Sequence, residues 1–405
     1  MATVTVKSSD DLPSTVEEDA DYEVAKNQIV TEVKEVESLF KAVLSRIFSH
    51  LYHYLRHKAM QSYLSFYIVS PLGSGMGNLL NSNLNDQYIT NKLGLPENAT
   101  PATFNIAHEQ VEVPSHFSKA RKQCWLIRST NPKATKAFVL LHGWFGNMQS
   151  CLHFADILNK MGSLDTHHIL ILDLRDDAGK SFETNIGLKG VADIYDAATY
   201  LNRELGVDHV SLYAQSVSCI SALLFNDLIT RIKKPLDNSS SKAICPLFDG
   251  MDTALLRNLT VDTIIMESPV ANIRNHVANS TTESVNWLME HVLSLVNKDG
   301  FHIDNLSLQT FLRDPETCSK TYIMQGSNDT ITTPEMLRSE LTRNDLPSRV
   351  NMFLFRDGGH ANLSATSKPD YYYTIKHVTV GRNAWEFLTR KGTKTRVYNP
   401  DDLVM

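Results

Sequence analysis

His209-Val210-Ser211-Leu212-Tyr213-Ala214-Gln215-Ser216-Val217-Ser218 passes from an apolar run to a serine, and the chain continues without proline or glycine from Cys219 to Ile232. The first half of this stretch is a short apolar run of the kind a buried strand presents, and Val217–Ile232 reads as a helix launched directly from it. Ser216 stands at the junction, with a small residue, Ala214 or Ser218, two positions to either side. A sharp turn from strand to helix lifts the serine Oγ above the carboxyl end of a sheet, and it needs small side chains at those two positions so that the helix can approach the strand. A serine hydroxyl is a poor nucleophile at neutral pH unless a base takes its proton as it attacks. The stretch therefore acquires chemical meaning only from what surrounds it.

Downstream, Asp329 follows the apolar run Tyr322-Ile323-Met324 in Gln325-Gly326-Ser327-Asn328-Asp329, and His360 follows Met352-Phe353-Leu354-Phe355 in Asp357-Gly358-Gly359-His360. In that arrangement His360 would take the Ser216 proton through Nε2 while Asp329 holds Nδ1. The alternative for Asp329 is to cap a helix opening near Pro334, and Glu267, at the end of the preceding strand, is the runner-up acid. Upstream, His142-Gly143-Trp144-Phe145-Gly146-Asn147 comes directly after the run Ala137-Phe138-Val139-Leu140-Leu141. A tetrahedral intermediate needs two backbone N–H groups aimed at its oxyanion. Val217, read as the first residue of the helix, and Trp144 are the expected donors; the alternative for the 142–147 stretch is an ordinary glycine-rich turn.

Strand-like runs near 137–142, 168–174, 209–215, 263–268, 320–325 and 350–355 alternate with helix-like ones, such as the apolar face of Val191, Ile194, Ala198, Leu201 and Leu205. Residues 104–113 and 122–129 read as an antiparallel pair leading into the first of these strands. The alternation predicts an α/β fold with a mainly parallel sheet flanked by helices. Residues 1–22 are acidic and poor in large apolar groups, which predicts a flexible tail. Residues 23–100 read as a helical N-terminal extension, where Leu44, Ile47, Leu51 and Leu55 form an apolar stripe. Residues 101–395 read as the catalytic domain, and connections within 233–319 are long enough to form a lid. No internal repeat is evident.

With these residues in hand, the chain over about 104–391 resembles an α/β-hydrolase of the serine-hydrolase type, in which a nucleophile elbow is followed by acid and then histidine. Leu172-Asp173-Leu174-Arg175 and Gly179-Lys180-Ser181 resemble the D-x-R-G-H-G-x-S segment of esterase-, lipase- and peptidase-like members. Ile264-Ile265-Met266-Glu267-Ser268-Pro269 is similar to the sixth strand of acylaminoacyl-peptidase-like hydrolases. Two departures stand out: Asp176-Asp177-Ala178 replaces Gly-His-Gly, and Ala214 and Ser218 replace the two elbow glycines. The resemblance implies a catalytic triad of Ser216, Asp329 and His360. It implies hydrolysis of an ester, thioester or amide of a small-molecule or lipid acyl substrate through an acyl-enzyme, with neither metal nor organic cofactor. Acyl transfer on the same triad and a catalytically silent scaffold that binds a partner or membrane are the alternatives.

Composition narrows the partners. With 42% hydrophobic and 21% charged residues, a net charge of −6 and no basic stripe, the chain of 405 residues is not expected to bind nucleic acid. The five cysteines, Cys124, Cys151, Cys219, Cys245 and Cys318, are scattered without a C-x-x-C pair and read as buried thiols. His50, His53 and His57 share a helical face, but no carboxylate or cysteine completes a metal site. The glycine cluster Gly73–Gly77 lacks the Lys-Ser/Thr of a phosphate loop. The first residues lack a secretory pattern, and no apolar run reaches the roughly 18–20 residues of a spanning helix. A cytoplasmic protein is expected, with peripheral membrane contact or self-association through the N-terminal helix left open.

Overall fold

The computed structural model describes residues 91–115, 121–143, 146–174, 189–233, 251–273, 275, 306–312, 320–341, 350–380 and 396–398. The expected acidic tail, nearly all of the helical extension and most of the 233–319 span expected to hold a lid lie outside these residues. So do Trp144 and the segment Arg175–Ser181.

The strands are β1 (Glu109–Pro114), β2 (Arg121–Ile127), β3 (Lys136–Leu141), β4 (His167–Leu172), β5 (His209–Gln215), β6 (Thr260–Glu267), β7 (Lys320–Gly326), β8 (Val350–Phe355) and the short β9 (Arg396–Tyr398). The helices are α1 (Leu152–Lys160), α2 (Lys189–Leu205), α3 (Ser218–Lys233), α4 (Thr253–Asn258), α5 (Leu308–Leu312), α6 (Pro334–Leu341), α7 (Leu363–Thr366) and α8 (Lys368–Val380). Among the described residues the strands form one sheet in the order β1-β2-β4-β3-β5-β6-β7-β8-β9. From β4 through β8 all neighbours are parallel. β2 is antiparallel to β1 and β4, and β9 is antiparallel to β8. This is the mainly parallel α/β sheet flanked by helices that the sequence predicts.

The central strands form because they are apolar on both sides, as strands buried between two helical layers must be. Alternate residues divide between two cores. Val139, Leu212, Ile264 and Met266 pack with Ile194, Leu201, Ile220 and Phe225 of α2 and α3. Leu140, Tyr213, Ile265 and Met324 pack with Leu152, Phe154, Tyr371 and Ile375 of α1 and α8. The predicted stripe of α2 is the buried face: Val191, Ile194, Ala198 and Leu201 are all buried. Leu93, Leu95 and Ala99 join the second core, so chain N-terminal to residue 101 packs on the same body.

Three local boundaries differ from expectation. Residues 104–108 are not strand: Pro101–Phe104 is a 3-10 turn with Pro at its first position, and Asn105 follows in the left-handed region at φ 58°. β2 is antiparallel to β1 as expected, but it ends at Ile127 rather than at residue 129. β4 ends at Leu172, because the next residues turn away and the Leu174 amide donates to a side chain, His142 Nε2, at 3.0 Å.

The strand order also determines where a site can lie. β3 has β4 on one side and β5 on the other, while α1 after β3 and α3 after β5 pack on opposite faces. The connections therefore diverge at the carboxyl ends of β3 and β5 and open a crevice there, the switch point at which open parallel sheets bind ligands. His142-Gly143 and Ser216 sit at its two edges.

Leu212, fully buried in the strand that carries Ser216, supplies the test of this packing. Leu212→Ala should lower the unfolding free energy by about 2–5 kcal/mol in chemical denaturation. A change of only a few tenths would mean that β5 is not packed between two layers.

Candidate active site

Ser216 occupies the turn between β5 and α3 with φ 56°, a left-handed conformation that non-glycine residues rarely hold. Its N–H donates to the Glu267 carbonyl at 3.0 Å, and its carbonyl accepts from Cys219 N–H at 3.2 Å. The two positions that lack the expected glycines are accommodated differently. Ala214 is fully buried in the core, and Ser218 Oγ donates to the His142 carbonyl at 2.6 Å, tying the elbow to the end of β3. The truly tight contact lies across the crevice. A Cβ on Gly143 would stand 3.0 Å from Ser216 Cβ and 3.2 Å from the Gln215 carbonyl, so a side chain here would require the elbow to give by a few tenths of an ångström.

His360 Nε2 lies 3.0 Å from Ser216 Oγ, and His360 Nδ1 lies 3.0 Å from Asp329 Oδ2. The structure thus brings together Ser216, His360 and Asp329, which are 144 and 31 positions apart in sequence. The loops after β7 and β8 are locked by Ser327 N–H to Phe355 O and Asn328 N–H to Gly358 O, both at 2.8 Å. A Cβ on Gly326 would overlap the Gly358 carbonyl.

Asp329 serves both readings that its sequence position allowed. Oδ1 accepts the Ile331 and Thr332 amides at 2.9 and 2.8 Å, as a cap would. Oδ2 meets His360 and also accepts from Thr332 Oγ1 at 2.9 Å and Gln325 Nε2 at 3.2 Å. Burial pushes the Asp329 carboxyl upward, but the His360 hydrogen bond and charge and the two amides outweigh it and hold the carboxyl at about 2. Glu267, the alternative acid, is directed elsewhere: its carboxylate accepts from Tyr213 Oη, Tyr371 Oη and the Leu363 amide.

On the other side of the crevice, His142 is fully buried. Its Nε2 accepts the Leu174 amide, so Nδ1 carries the proton and donates to the Gly143 carbonyl at 2.8 Å. Gly146 N–H also donates to Gly143 O, at 3.0 Å. Trp144 lies between these anchors but outside the described residues. Val217, the other expected donor, belongs to the turn itself, since α3 starts one residue later at Ser218. No backbone partner takes its N–H among the described residues.

Sequence reasoning missed Thr332, whose hydroxyl lies 3.2 Å from His360 Nδ1 and 3.1 Å from Ser268 O as well as against Asp329. The spacing Asp-x-x-Thr was a usable signal, because a capping carboxylate and a side chain three residues on face each other. Cys124, Cys151 and Cys219 are buried; burial pushes the Cys124 thiol up to about 12 and the other two well above the ordinary range, which leaves them unsuited as nucleophiles. Among the described residues no three His, Cys, Asp or Glu side chains are grouped to hold a metal ion, and no helix is long and apolar enough to cross a membrane.

No protein-family model matches the chain, and no curated protein matches it. Solved structures similar to it include an esterase of Pyrococcus furiosus, 16% identical, covering 72% of this chain and 96% of that one with a TM-score of 0.47. A thermophilic esterase of the planctomycete Thermogutta terrifontis is 12% identical, covering 71% of this chain and 93% of that one with a TM-score of 0.44. A 2,6-dihydroxy-pseudo-oxynicotine hydrolase is 13% identical, covering 79% and 78% with a TM-score of 0.44.

The lowered Asp329 carboxyl has a thermodynamic signature. A carboxyl at about 2 in the folded protein, against about 4 in the unfolded chain, contributes stability that is complete above about pH 5 and lost as pH falls from about 4 to about 2. The stability advantage of wild type over Asp329→Asn, measured by urea unfolding, should shrink across that window. An advantage that stays constant there would contradict the carboxylate's pairing.

Proposed function

We propose that the protein is a serine hydrolase that cleaves a carboxylic ester, thioester or amide through an acyl-enzyme. The observation that carries this reading is the unbroken run from Ser216 Oγ to His360 Nε2 and from His360 Nδ1 to Asp329 Oδ2, each contact 3.0 Å. His360 Nε2 accepts the hydroxyl proton as Oγ attacks the substrate carbonyl, and Asp329 holds Nδ1–H and stabilises the imidazolium that forms. The developing oxyanion is met by the Val217 amide and, on this reading, by that of Trp144. His360 then gives its proton to the leaving group, the ester between acyl carbon and Ser216 forms, and a water activated by the same imidazole hydrolyses it. None of these steps calls on a metal or organic cofactor.

The geometry also weighs against a silent scaffold. The two elbow substitutions leave the serine in its left-handed turn, and Ser218 adds a bond to the loop after β3. A left-handed serine is costly for the backbone by about 1–3 kcal/mol and survives where surrounding structure overdetermines it, as at active sites. A carboxylic ester is the first substrate class to try.

A fluorophosphonate probe should label the wild-type protein and leave Ser216→Ala unlabelled. With an ester substrate, His360→Ala should lower kcat by about 10³–10⁴ or more, because triad members act as a unit. Labelling that persists in Ser216→Ala would overturn the assignment of the nucleophile.

A further inference from the structure

β6 carries none of the three triad residues, yet its end touches every segment that does. The Glu267 carbonyl accepts the Ser216 amide at 3.0 Å, and the Ser268 carbonyl accepts Thr332 Oγ1, beside Asp329, at 3.1 Å. In the loop that carries His360, the Ala361 amide donates to Ser268 Oγ at 3.0 Å and the Leu363 amide to Glu267 Oε1 at 3.1 Å. Sheet order shows why such a device is needed. β8, which precedes His360, stands three strands away from β5, which precedes Ser216. At the usual strand spacing that is roughly 14 Å, so the histidine loop must be carried back over β7 and β6 before Nε2 can reach Oγ.

We propose that Glu267 and Ser268 are positioning residues, a clasp at the end of β6 that holds the His360 loop in register with Ser216; the inference rests on the serine-hydrolase reading above. The loop crosses with buried backbone amides that must find acceptors, and the clasp supplies two of them. Glu267 is 1% exposed and accepts three donors at once: the Leu363 amide, Tyr213 Oη of β5 at 2.5 Å and Tyr371 Oη of α8 at 2.8 Å. It thereby joins β5 under the nucleophile, the start of α7 where the loop of the base ends, and α8. Burial holds the Glu267 carboxyl above its ordinary value, and the two tyrosines, the Leu363 amide and the nearby His360 offset that only in part. Ser268 bears a second mark. Its φ is 50°, where glycine would be the unstrained choice, and the side chain it keeps is the acceptor for Ala361, itself left-handed at φ 47°.

That conformation separates a positioning role from a merely stabilising one. Ser268→Gly relieves the left-handed strain while deleting the acceptor, and Ser268→Ala deletes the acceptor and keeps the strain. Both are compared with Glu267→Gln and Glu267→Leu in thermal melts, steady-state kinetics on p-nitrophenyl esters and fluorophosphonate labelling rates, with Ser216→Ala in the same series. Ser268→Gly should melt close to wild type, yet lose about 10-fold or more in kcat and labelling rate with KM nearly unchanged, because a small misplacement of the base is enough to slow attack. Glu267→Gln, which keeps one acceptor oxygen, should retain more activity than Glu267→Leu. Wild-type kcat in Ser268→Gly with a signal that still depends on Ser216 would overturn the clasp alone. Labelling that survives Ser216→Ala would overturn both the clasp and the reading on which it rests.

Discussion

The hydrogen bond between Ser216 Oγ and His360 Nε2, at 3.0 Å, joins groups that the sheet would otherwise hold apart. Much of the carboxyl edge is arranged to make it. Gly326 lets the loop after β7 nest against Gly358 of the loop after β8, and two backbone hydrogen bonds fasten them. Gly143 lets the loop after β3 pass the serine at van der Waals distance. The crevice itself arises further back, from the divergence of connections after β3 and β5. The parallel sheet supplies the location, and the loops supply the alignment.

The same edge concentrates features that an ordinary core avoids. Of the four described non-glycine residues with left-handed φ, three (Ser216, Ser268 and Ala361) lie at the site. Glu267 and Asp329 are buried carboxyl groups at the ends of β6 and β7. Such groups are tolerated when their hydrogen bonds are supplied. Asp329 illustrates the balance: His360 and the capping amides of Ile331 and Thr332 together reverse the effect of its burial. Strain and buried charge coincide with the residues that must be aimed, which is the distribution expected when conformational stability is exchanged for alignment.

The central strands and α2 are legible in the sequence because their signals are local. Ala137–Leu141 is apolar throughout, and Val191, Ile194, Ala198 and Leu201 recur at helical spacing. The start of β6 is less legible, since Thr260, Asp262 and Thr263 interrupt the apolar pattern. Ser216, Asp329 and His360 are readable as candidates because each follows a strand-like run, and parallel strands deliver all such positions to one edge. Glu267 is readable as an acid, but its use is not. Which groups it meets depends on β6 lying between β5 and β7 and on Tyr371 arriving from α8, both products of tertiary packing. Ser268 is hidden for the same reason, whereas Thr332 is legible in part, since Asp329 lies three residues before it while its other partners, Ser268 and His360, come from elsewhere in the fold. The elbow substitutions mislead in the opposite direction: Ala214 and Ser218 break the expected pattern of small glycines, yet the turn closes around them.

An acyl-enzyme on Ser216 is detected by rapid mixing of the protein with a p-nitrophenyl ester, followed by acid quench and mass measurement of the Ser216 peptide. A burst of p-nitrophenolate stoichiometric with active protein is expected, with an acyl adduct on Ser216 that decays as turnover proceeds. Steady turnover with no acyl adduct under conditions that trap a slowly deacylated substrate, or an adduct on a different residue, would contradict nucleophilic attack by Ser216.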